Sequence, residues 1–239
     1  MADFETIIYD KKDNVAYITL NRPRVLNAYN IRMRDELFEV LGAIMEDDDV
    51  RAAVFRGAGE KAFCAGADLS EFLSAPSPII ARQVRFQRDV WSRFLGITKP
   101  LIAALHGFVF GSGVEIALCC DIRLASPEVQ FSLPEPRLGI IPAAGGSQTL
   151  PRAIGLAPAL EILLSGRRLD AEEAYRLKLV NRVVKREELL TEAIRLAGIL
   201  AGYPAGAVSR VKQAVTRGLD QGLSEGLELE AHLSAAITD

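Results

Sequence analysis

The sequence predicts an α/β fold, strands and helices in layers, followed by a helical C-terminal region. Two observations predict it. Up to Leu156, apolar runs of strand length, such as LIAAL at 101–105, alternate with stretches of helical spacing. Beyond Leu156 the apolar residues recur almost wholly at helical spacing. This shift divides the chain into an α/β core, residues 1–156, and a helical region, residues 157–239. A chain of 239 residues can bury one sizeable core, and 49% apolar with 25% charged residues is ordinary globular composition.

In chain order, Thr6–Asp10 and Val15–Leu20 read as strands joined by the polar turn Lys11–Asn14. Asn21-Arg22-Pro23-Arg24 is a loop. Asn30 suits the cap of a helix running to about Glu46, with Met33, Leu37, Val40, Leu41 and Ile44 on one face. Ala52–Arg56 is a short strand. The G-x-G-x-x-A pattern from Gly57 to Ala62 follows it, but a dinucleotide fingerprint opens a helix at once. Here Phe63-Cys64-Ala65-Gly66 reads as a further turn, with Gly66 aiming the N–H of Ala67 into a site. Residues 71–95 read as mainly helical, broken near Pro76 and Pro78, with a mobile loop there.

The stretch from Lys99 to Ala125 organises the rest. After the strand at 101–105, His106 and Gly107 interrupt the apolar run, and Gly111-Ser112-Gly113 lets the backbone turn tightly and approach a ligand. Helical spacing then runs through Val114, Ala117, Leu118 and Asp121. The first turn of such a helix offers free N–H groups to an anion or a developing oxyanion. Glu115 sits in that turn. Ile122–Ala125 and Val129–Ser132 read as strands. Glu135 lies between Pro134 and Pro136, which predict an extended segment among apolar neighbours that raise a carboxyl pKa. Ser147–Ile154 is helical, and the tail reads as helices near 157–164, 171–177, 186–201, 205–219 and 222–237, with a short extended piece at Val180–Val184.

A net charge of −3 does not suggest a nucleic-acid surface. No apolar run reaches the roughly 18 residues of a membrane span. The acidic N-terminus MADFETIIYD has no basic n-region, so a cytoplasmic setting is expected. Cys64, Cys119 and Cys120, with only His106 and His232, show no metal-ligand spacing and read as buried thiols. No G-x-S-x-G occurs, which disfavours a serine hydrolase.

Four motifs in order, ITLNRPRVLNAYN at 18–30, FCAGADLSEF at 63–72, HGFVFGSGVEIALCCDIRLAS from His106 and FSLPEPRLGIIPAAGGSQTLPRAIG from Phe131, resemble the enoyl-CoA hydratase/isomerase (crotonase) superfamily. The resemblance spans nearly the whole chain. It implies a crotonase-like spiral of β-β-α units with C-terminal helices serving trimerisation, as a homotrimer or dimer of trimers. It implies an acyl-CoA thioester as substrate, with coenzyme A part of the substrate and no separate cofactor.

It also implies residue roles. The backbone N–H groups of Ala67 and Ser112 match the oxyanion-hole positions; many members have glycine where Ser112 stands. Glu115 and Glu135 match the two glutamates of the hydratases, which implies hydration of a 2-enoyl-CoA with Glu115 activating the water and Glu135 giving the proton. Arg24, Ala28, Ala65, Asp68, Leu69 and Ser70 fall in the CoA-binding segments, and Gly111 beside the oxyanion hole. Arg24 is placed to pair with a phosphate, although Val25 stands where the family often has Lys. Members usually continue past the position of Asp239 into another helix, which implies a truncated form or a more open acyl pocket. The alternatives are an enoyl-CoA isomerase using one of the two acids, a non-catalytic acyl-CoA-binding subunit, or an RNA-binding relative, the last disfavoured by charge.

Overall fold

The computed structural model describes residues 4–72 and 87–236. Strands β1 (Ile7–Lys12) and β2 (Val15–Leu20) form an antiparallel hairpin. Its turn is tighter than expected: β1 runs on to Lys12, and Asp13 and Asn14 take φ of 52° and 62°. Two successive left-handed residues match the right-handed twist of a hairpin. Strands β3 (Ala52–Gly57), β5 (Leu101–Leu105), β7 (Ile122–Ala125) and β9 (Arg182–Val183) continue in parallel, in the order β1-β2-β3-β5-β7-β9. A second parallel sheet holds β4 (Ala62–Cys64), β6 (Phe108–Phe110) and β8 (Gln130–Ser132).

The chain therefore alternates between sheets: β3 then β4, β5 then β6, β7 then β8. This is the β-β-α repeat that the resemblance implies, present in topology and absent from the sequence as a repeat. It also corrects two readings. Ala62–Cys64 is a strand, because its backbone pairs with β6. The glycine turn at 111 follows β6 rather than β5 directly, because Phe108–Phe110 is a strand of the second sheet.

The central strands are covered on both faces, so they read as continuous apolar runs. Val54, Ile102, Ala104 and Leu124 pack against a helix at Leu189–Ala201 through Leu189, Ala193, Ala197 and Ala201. Alanines at every fourth position let that helix approach the sheet closely. Phe55, Ala103 and Leu105 face the main core, with helix α1 (Ile31–Glu46) and Phe94 of a helix at Val90–Gly96. Asn30 caps α1 as expected, its side chain accepting from the Met33 N–H at 2.9 Å. The loop expected near Pro76 and Pro78 lies outside the described residues. Beyond Leu156, β9 returns to the sheet edge and the 189–201 helix to its face, while helices Ala205–Gly218 and Leu223–Ala235 pack mainly on each other.

Two further corrections concern the site. The helix starting at Ser112 ends at Leu118, and Asp121 accepts the Leu101 N–H and the Lys212 ammonium, both at 2.7 Å. Glu135 opens a 3-10 turn, Glu135–Leu138, rather than an extended segment. The fixed φ of Pro136 is compatible with a tight turn, and Pro lacks an N–H that the first turn leaves unused anyway.

Glu36 on α1 fastens the N-terminal strand. Its buried carboxylate accepts the N–H groups of Glu5, Thr6 and Ile7, the Thr6 hydroxyl and the Arg32 Nε. Burial pushes its pKa up, but these donors outweigh it and hold it at about 2. A depressed carboxyl pKa contributes stability above the unfolded value, lost as pH falls through the folded value. Thermal unfolding followed from pH 5 to 2 is expected to show the parent losing stability faster than Glu36→Gln, which starts lower at pH 7. Parallel curves would remove this role.

Candidate active site

Two glycine turns meet at the end of the second sheet. Gly66 has φ 101° and Gly111 has φ 47°, both in the region that favours glycine. A Cβ on Gly66 would lie 3.2 Å from the Phe110 carbonyl oxygen and 3.8 Å from Gly111 Cα, so the turns are in contact. Ala67 and Ser112, each one residue further on, line the same cavity of about 700 Å³. Neither backbone N–H donates to a protein acceptor among the described residues. Pairs of such donors suit negative charge developing on one oxygen.

Glu115 and Glu135 line the same cavity, both buried. Their surroundings differ. Glu115, in the first turn of the helix Ser112–Leu118, accepts the Ala144 and Gly146 N–H groups at Oε1, both at 2.9 Å. That fixes its orientation and suits an ionised acceptor. Glu135 enters from the 3-10 turn. Its Oε2 is buried and has no hydrogen-bond partner among the described residues. Burial pushes its pKa above the usual carboxylate range. One acid is thus anchored by backbone donors, and the other keeps one buried oxygen without a partner among the described residues.

Asp68 ion-pairs with Arg22 at 2.9 Å and accepts the Ser70 hydroxyl at 2.6 Å. Arg22 also donates to the Ala28 carbonyl, the Ala65 N–H to the Leu26 carbonyl, and the Tyr29 N–H to the Gly66 carbonyl. Ala28, Ala65, Asp68 and Ser70 thus tie the 22–29 loop to the Ala67 turn. Leu69 is exposed. None of these five lines the main cavity, and Arg24 lines a second, smaller one of about 280 Å³ with Leu26, Gly59 and Lys61. Sequence reasoning missed Tyr29, Arg34 and Trp91 on the cavity wall. Opposite charges in two motifs were the available signal for the Arg22–Asp68 pair. Nothing local signals Trp91, which arrives by packing against Tyr29, ring centroids 5.9 Å apart.

Residues 10–239 match the profile of the family described as enoyl-CoA hydratase/isomerase. The chain belongs to this family. Among curated relatives of this enoyl-CoA hydratase/isomerase, the short-chain-enoyl-CoA hydratase of Clostridium acetobutylicum is 41% identical over 196 residues, covering 82% of this chain and 75% of the relative. The crotonyl-CoA hydratase of Syntrophomonas wolfei is 39% identical over the same shares. A crystal structure of an enoyl-CoA hydratase subunit from Geobacillus kaustophilus superposes with a TM-score of 0.93 at 39% identity, covering 99% of this chain and 91% of that one. The family fold is therefore the fold seen here. Among the described residues no group of three or more His, Cys, Asp or Glu is placed to hold a metal ion, and no helix is long and apolar enough to cross a membrane.

Proposed function

We propose that the protein is an enoyl-CoA hydratase, adding water across the 2,3 double bond of a short 2-enoyl-CoA. The observation that carries this is the unequal pair of acids beside two backbone donors that have no acceptor among the described residues, all in one cavity. The thioester oxygen sits between the Ala67 and Ser112 N–H groups, which stabilise the charge it gains in the transition state. Glu115, held by Ala144 and Gly146, takes a proton from water as the water oxygen bonds to C3. Glu135, whose pKa burial raises, gives its proton to C2 as the π electrons move there. One water is consumed; proton exchange restores the two acids.

The short acyl chain is supported by the Tyr29–Trp91 aromatic wall and by the names of the two curated relatives. Arg24 and Lys61, around the smaller cavity, provide cations for the phosphates of the CoA moiety. The substrate brings its own coenzyme A, so no further cofactor takes part. Free, buried thiols at Cys64, Cys119 and Cys120 support a cytoplasmic setting. Exposed Leu156, Leu160 and Leu164 on one helix, with Val211 and Val215 on another and Leu219 just past its end, support a trimer or dimer of trimers. Sedimentation at micromolar concentration tests it, a lone monomer being the contrary result.

The activity test is loss of the conjugated-enoyl absorbance with a panel of 2-enoyl-CoA esters. Hydration of crotonyl-CoA is expected; turnover of 3-enoyl-CoA alone would point to an isomerase instead.

A further inference from the structure

The cavity wall beyond the two acids is not wholly apolar. Arg34, one turn into α1, lines it together with Tyr29, Trp91, Ile140 and Ile141. Its side chain is only 20% exposed. Its Nε and Nη2 both donate to a single oxygen, Asp35 Oδ1, at 2.9 and 2.8 Å. That same oxygen lies 3.8 Å from Arg88, another residue of the cavity wall. One carboxylate oxygen is therefore shared by two guanidinium groups, and Arg34 Nη1 has no hydrogen-bond acceptor among the described residues.

Two other donors at this end of α1 are taken. The Met33 N–H donates to Asn30, and the Ile31 N–H to Glu71. Asp89, also on the wall, caps the next helix by accepting the Ser92 N–H and hydroxyl. An alkyl chain laid against Arg34 would exclude water from an N–H donor and offer nothing in return. A buried donor left unmatched costs more than an apolar contact gains there.

We infer that the acyl group carries an oxygen acceptor beyond the double bond, bound by Arg34 Nη1. This makes Arg34 a specificity-determining residue, and it deepens the hydratase reading on which it rests. Because Asp35 pairs with Arg34 and Glu39 lies 3.1 Å from Arg88, a neutral hydroxyl serves as well as a carboxylate.

The test compares isosteric substrates. The first pair is 5-hydroxypent-2-enoyl-CoA against hex-2-enoyl-CoA, and the second pent-2-enedioyl-CoA against 5-methylhex-2-enoyl-CoA. In each the kcat/KM ratio, oxygenated over alkyl, is measured in the parent, Arg34→Met and Arg34→Lys. A preference of about tenfold in at least one pair is expected in the parent, the size of one hydrogen bond to a charged group. It should vanish in Arg34→Met and return in part in Arg34→Lys. A ratio near one in the parent for both pairs, or one that Arg34→Met leaves unchanged, overturns the inference. The ratio is internal to each variant, so a general loss of stability does not move it. Calorimetry of the saturated analogues reads the same preference without chemistry, so the test stands even if no 2-enoyl-CoA is hydrated.

Discussion

Replacing Glu135 by Gln is expected to lower kcat for hydration of crotonyl-CoA by about 10²–10⁴-fold, the usual contribution of one general acid or base. Glutamine keeps the shape and loses the transferable proton. Glu115→Gln should fall in the same range, because the amide cannot take a proton from water. The double variant should lose less than the product of the two factors, since both acids act on one addition. Affinity for butanoyl-CoA should stay within a few-fold, because the oxyanion donors are backbone groups.

The pH dependence follows from the environment of Glu135. The group must be protonated to act, and burial raises its pKa. Activity should therefore fall as pH rises through that raised value, and this alkaline limb should be missing from the residual activity of Glu135→Gln. Parental hydration by either single variant would end the two-acid mechanism and leave the single-acid one.

Gly111→Ala is expected to cost both stability and rate. Gly111 has φ 47° and ψ −119°, a conformation that costs other residues about 1–3 kcal/mol. Its added Cβ would lie 2.8 Å from Glu135 Oε1, so the acid or the turn must shift. A shift of the turn also moves the Ser112 N–H. Loss of one such donor costs roughly 10²–10³-fold in kcat. Gly155→Ala is the control: its φ is 85°, and an added Cβ would meet nothing within 4 Å. It should lose stability by a similar amount and keep its rate. If Gly111→Ala unfolds earlier yet turns over at the parental rate, the turn serves the fold and not the chemistry.

Local order in the chain was enough for much of the fold. Asn30 stands three residues before Met33, the spacing of a side-chain cap, and the cap is there. LIAAL at 101–105 has no polar residue because both faces of that strand are covered. The two glycine turns and the two acids were legible as residues, because backbone conformation and carboxyl chemistry are properties of the residues themselves.

What the sequence could not determine is what meets what. That Ala62–Cys64 is a strand depends on the partner β6, more than 40 residues on, since a strand's hydrogen bonds are made outside it. That Pro136 ends in a 3-10 turn rather than an extended segment depends on where Glu135 is carried, since the ring's φ fits both. Above all, the difference in surroundings between the two acids is tertiary. Glu115 receives N–H donors from Ala144 and Gly146, and Glu135 is left without a partner at Oε2 among the described residues. Two identical side chains differ only through the groups the fold places around them, because a carboxyl group's proton affinity is set by burial, charge and donors within a few ångströms.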